Sequence, residues 1–153
     1  MLENYIKTVL YAYPLLKTVE EDYTEHIRNK AVLSYRSNLT TEALAEYLAE
    51  EILRKDHLVW LKQKIESVVH KLSEVERDMI AVRYFGKQKK IQAMQEWGER
   101  KYFRFMQRLS EKIGGMLEVA GITKQLFDEQ LMDIDIIRKI HRFVEEGKER
   151  KIS

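Results

Sequence analysis

Residues 99–113 read ERKYFRFMQRLSEKI, and Arg100, Arg104, Gln107 and Arg108 recur there three or four apart. That spacing brings them to one face if the segment is helical. A guanidinium forks onto the O6 and N7 edge of guanine, and a carboxamide forks onto the N6 and N7 edge of adenine. This is the chemistry of reading bases, not of making or breaking bonds. Lys101 and Lys112 share the arc, and Lys87, Lys89 and Lys90 precede the segment. Ammonium groups placed so can neutralise phosphates and set register without reading sequence.

At about 100° per residue the opposite arc of the same helix collects Tyr102, Phe103, Met106, Leu109, Ser110 and Ile113. Met94, Trp97, Phe103 and Met106 are predicted to fill the core between helices, with Phe105 at the edge. Residues 86–113 carry eight Lys or Arg against three acids, a balance of +5 in a chain whose net charge is +2. The positive charge therefore gathers on this one stretch, as an electrostatic footprint for nucleic acid would.

Other chemistries find less support. With no cysteine there is no disulfide framework, thiolate metal site or cysteine nucleophile. The four histidines are scattered, and the nearest approach to a ligand pair, His141 with Glu145, is an ordinary helical neighbour pair. Gly114 and Gly115 follow a helix and precede no Lys-Ser or Lys-Thr, so they form no phosphate loop. No G-x-S-x-G elbow occurs. The expectation is a non-enzyme without cofactor, metal or small-molecule substrate.

The arginine-bearing helix needs elements to hold it, and the residues before it supply them. Ser73 and Glu76 fit a capping box that opens a helix reaching about Phe85, where Gly86 ends it. A short helix from Ile91 to Trp97 follows, then Gly98, then the basic helix. This order of parts suits a helix-turn-helix, which holds its second helix in the DNA major groove.

The run LSEVERDMIAVRYF, with Ser73, Glu76, Arg77, Val82, Arg83 and Tyr84, resembles the opening of the C-terminal DNA-binding region of bacterial sigma factors. It is similar also to sigma-like regulators of phage and mobile elements. The likeness covers about 42 residues, Leu72 to Ile113. It departs at Met94, where the family pattern usually has a small residue, and at Glu99 and Arg100, which replace an apolar residue and a serine cap. The resemblance implies recognition of promoter-type double-stranded DNA by the helix beginning near Glu99, beside RNA polymerase, in a bacterial or phage setting.

The remainder of the chain reads as all-α. Strong helix formers dominate, one proline and six glycines occur, and no alternating β-branched run suggests a strand. A first helix is predicted over Leu2 to Tyr13, ended or kinked by Pro14, and a second over Leu15 to Tyr35. Ser37, Asn38 and Leu39 form a polar break, after which Thr40 or Thr41 caps a long helix from Glu42 to Leu72. Gly114, Gly115 and Gly121 mark a loosened region before a last amphipathic helix, opened by Ile122 and Thr123. The organisation is then a helical region over 1–72, the helix-turn-helix over 73–118, and a C-terminal amphipathic helix with charged tail over 119–153.

No segment has the roughly twenty uncharged apolar residues a membrane span needs, and the N-terminus makes a poor signal peptide. A cytoplasmic protein without membrane contact is expected. Tyr5, Tyr11, Tyr13 and Tyr23 are expected to cap the bundle, with a partner surface as the other use. The alternative function is a helical interaction module that keeps the helix-turn-helix shape without DNA. Its basic arc would face RNA polymerase or pack in a homodimer. Asp128, Glu129, Asp133 and Asp135 on the final helix could cover the arc and shut it, so the fold must show whether the arc stands open.

Overall fold

A computed structural model describes residues 2–33, 40–88 and 95–147. Among them α1 spans Asn4–Leu33, α2 Thr41–His70, α3 Glu74–Tyr84 and α4 Glu99–Val119. A short α5, Lys124–Leu126, runs into a π-helical turn over Phe127–Leu131, and α6 covers Asp135–Glu145. The described residues contain no strand, in line with the all-α expectation. Met94, the start of the short helix at Ile91 and the polar break at Ser37 to Leu39 lie outside the described residues.

α1 is one 30-residue helix with Pro14 inside it, where two helices were predicted. A proline in a helix interior costs about 3 kcal/mol through its missing amide and its ring. Leu10, Ala12 and Leu16, on either side of it, are wholly buried, while Pro14 itself lies on the solvent face. Packing on both sides of the defect holds the helix together. Tyr5 is buried, and Tyr11, Tyr13 and Tyr23 are half-buried. Tyr11 meets Tyr84 edge-on at 4.9 Å, and Tyr13 lies 4.7 Å from the Phe85 ring.

Several predicted boundaries coincide with caps. Thr40 accepts the Ala43 amide at 3.1 Å to open α2, and Thr123 accepts the Leu126 amide at 3.2 Å to open α5. Gly114 and Gly115, by contrast, lie within α4 and do not loosen it. That helix stops at Gly121, whose φ of +103° only glycine adopts freely. There the Ile122 amide reaches back to the Leu117 carbonyl at 2.9 Å and the Gly121 amide to Glu118 at 3.0 Å, a Schellman closure over the buried pair Leu117 and Ile122.

One hydrophobic cluster joins α1, α2, α3, α4 and the C-terminal segment. It joins Ile6, Val9 and Leu10 of α1 to Leu61 and Ile65 of α2, Met79 and Ile80 of α3, Leu109 and Ile113 of α4, and Phe127, Leu131 and Ile137 beyond. α1 is its axis, packed along both α2 and α6.

The cluster ends well short of the α1–α2 tips. No described side chain from 17 to 32, or from 40 to 57, is buried. These parts of α1 and α2 form an arm about 25 Å long, cross-tied by a 2.6 Å hydrogen bond between His26 Nε2 and the Tyr47 hydroxyl. At its base Arg54 bonds Glu51 at 2.9 Å and Asp133 at 3.2 Å. Backbone hydrogen bonds without a packed core open readily. Amides of the arm should therefore exchange with deuterium well before those around Val9 and Ile65; equal protection would mean that something else covers the arm.

Candidate nucleic-acid interface

α4 divides by face as its residues dictate. Leu109, Ile113 and Leu117 are buried, Tyr102, Phe105 and Met106 half-buried, and Arg100, Lys101, Arg104, Gln107, Arg108 and Glu111 exposed. At its first turns Phe105 lies 4.8 Å from the Trp97 ring, tying α4 to the residues that precede it. Lys101 Nζ stands 5.2 Å from the same indole, so its stem is steered along that edge. Gly98 precedes the helix in an extended conformation without a side-chain cap.

The C-terminal segment leaves the basic arc uncovered. α6 packs on α1, and the acids that could have closed the arc have other partners. Asp128 pairs with Lys124 at 2.9 Å, Glu129 accepts from Gln125 at 3.2 Å, Asp133 takes Arg54 at 3.2 Å, and Asp135 holds Arg138. Among the described residues no ion pair engages Arg100, Arg104 or Arg108.

The predicted phosphate contacts fare unevenly. Lys87 and Lys101 are exposed, and Lys89 and Lys90 lie outside the described residues. Lys112 has a structural partner: its ammonium donates to both oxygens of Glu76, at 2.9 and 3.0 Å. Glu76 is itself the acid of the predicted capping box. Its Oε1 accepts the Ser73 amide at 2.9 Å, while Ser73 Oγ accepts the Glu76 amide at 3.2 Å. One carboxylate thus closes the start of α3 and ties it to α4.

Partial burial alone would raise the Glu76 carboxyl, but the Ser73 amide, the Lys112 ammonium and the Ser73 hydroxyl outweigh it and hold the group below the usual carboxylate range. A depressed pKa stabilises the fold above the unfolded value of about 4.3, and that stability is lost as pH falls through the folded one. Glu76→Ala should cost about 1 kcal/mol at neutral pH. The gap from the parent should close as pH drops below about 4.3, as followed by urea unfolding at a series of pH values. A gap independent of pH would mean that the charge of Glu76 contributes nothing.

Two further cations, from outside the basic stretch 86–113, stand beside α4. Lys64 of α2 and Lys71, the residue that caps its C-terminus, line a groove of about 600 Å³ with Glu111 and Lys112 of α4. No local signal marks them, since α2 meets α4 only through the tertiary fold. Phe103 is the other surprise. Predicted to be core, it is 69% exposed. It is the last member of the apolar arc, and among the described residues no element covers that edge at the first turns of α4. No group of acids and histidines suited to a metal ion occurs among the described residues.

These features define an all-helical protein that presents an exposed basic helix face on a packed support. No helix among the described residues is long and apolar enough to cross a membrane. No protein-family model, curated protein or solved structure matches the chain.

Proposed function

We propose that this chain binds duplex DNA in a sequence-specific manner, in transcription regulation, with α4 as the helix that enters the major groove. The observation that carries the reading is the open arc of α4: Arg100, Arg104, Gln107 and Arg108 are exposed together, while the acids of the C-terminal segment are paired elsewhere. A helix about 10–12 Å across fits a major groove about 12 Å wide. Arg100, Arg104 and Arg108 would fork guanines and Gln107 an adenine. Lys87 and Lys101, joined by Lys64 and Lys71, supply the phosphate contacts that set register, and Lys89 and Lys90 remain candidates of the same kind. The resemblance of Leu72 to Phe85 to the sigma-factor DNA-binding region supports a promoter-type target in a bacterial or phage regulator, beside RNA polymerase.

A second reading, a helical interaction module, draws on the α1–α2 arm. Over 17–32 and 40–57 it buries no side chain, and Val32, Ile52 and Leu53 are exposed. The arm suits a protein contact with RNA polymerase or a second copy, and is compatible with DNA binding at α4.

The test is retention of a labelled random duplex pool across a salt series, with sequencing of what is kept. One enriched motif, with affinity falling steeply as salt rises, supports the reader. Retention without enrichment would reduce the chain to a non-specific basic protein. No retention at low salt would overturn DNA binding and leave the interaction module.

A further inference from the structure

Phe103 is the most exposed aromatic on α4, at 69%, and its neighbours give that exposure a direction. It lies three residues after Arg100 and four before Gln107, so the three stand side by side on the outward face. Behind it Tyr102 meets its ring edge-on at 6.1 Å, which limits the positions the ring can take. Phe103, Met106 and Gln107 also line a groove of about 600 Å³ shared with Lys7 and Arg83. An apolar ring thus stands within a field of cations, at the N-terminal turns from which a reading helix reaches base edges.

Resting on the DNA-binding reading above, we infer that Phe103 reads a thymine by its C5-methyl group. The methyl is the one apolar group that the major groove presents, and a phenyl ring is among the side chains that contact it. A protein surface could also cover the ring, but the exposed cations beside it, Arg100 and Arg104, favour a polyanion. Four residues of helix advance about 6 Å, which is about two base steps at roughly 3.4 Å each. The thymine therefore lies within about two base steps of the adenine that Gln107 takes.

The test uses the duplex recovered by selection. Each thymine is replaced in turn by deoxyuridine, which removes only the methyl, and affinity is measured at one salt concentration for the parent, Phe103→Ala and Phe103→Leu. One thymine should matter: its replacement should weaken the parent about fourfold, as expected for one buried carbon group, and should leave Phe103→Ala unchanged. Phe103→Leu should retain part of the discrimination. Circular dichroism should show the fold intact in both variants, since the ring is outside the core.

Uracil tolerated at every position, or the same penalty persisting in Phe103→Ala, would overturn the assignment. A Phe103→Ala variant that binds DNA as the parent does would also overturn it and turn attention to a protein partner at this ring. A pool that yields no motif removes the parent reading, and this assignment with it. A motif that forms without uracil sensitivity removes this assignment alone.

Discussion

Phe127→Ala is expected to lower the unfolding free energy by about 3–5 kcal/mol, the range for an aromatic ring removed from a packed core. Phe127 has no exposed surface. Its ring lies 5.9 Å from Tyr5 of α1 and 5.2 Å from His141 of α6, so it joins the two helices at one point. It also opens the π-helical turn Phe127–Leu131, a less common backbone than the α-helix and one that here depends on its packing. Removing the ring leaves a void against two helices that cannot both collapse into it. Urea unfolding followed by circular dichroism would show a lower midpoint with little change in slope. A loss below about 0.5 kcal/mol, the scale of an ordinary surface change, would mean that the C-terminal segment does not seal the core this way.

Arg104→Ala is expected to act on binding rather than stability. If Arg104 forks a guanine, its loss should cost about 1–3 kcal/mol, roughly 5- to 160-fold, and relax preference at one base position. Arg104 is exposed and lies outside every ion pair among the described residues, so the fold should be unaffected. Lys101→Ala provides the contrast. As a phosphate contact it should weaken all sequences alike and flatten the salt slope by about one. Binding of single-position variants of the selected site would separate the two patterns. Equal losses on all sequences from Arg104→Ala would remove it as a reader.

How far such outcomes could be read in advance varies along the chain, and the reason is locality. Ser73 with Glu76, Thr40 and Thr123 cap their helices where the sequence places them, because a cap is closed by residues within one turn. The two faces of α4 likewise follow from spacing alone. Pro14 and the pair Gly114 and Gly115 misled for the opposite reason. Their helix-breaking preferences are worth up to about 3 kcal/mol, and burial of Leu10 and Leu16 around the one, and of Ile113 and Leu117 around the others, outweighs them.

The sequence by itself therefore determined the helical class, most of the helix starts and the gathering of cations on α4. Each depends on propensity, periodicity or capping within a few residues. Only the tertiary structure decided which of those cations stand open. Lys112 meets Glu76 across 36 positions, Lys64 and Lys71 arrive beside α4 from another helix, Phe103 is left at an uncovered edge, and α6 settles on α1 with its acids paired away from the arc. Such contacts form between residues distant in the chain, through close packing of whole faces, and no local preference encodes them.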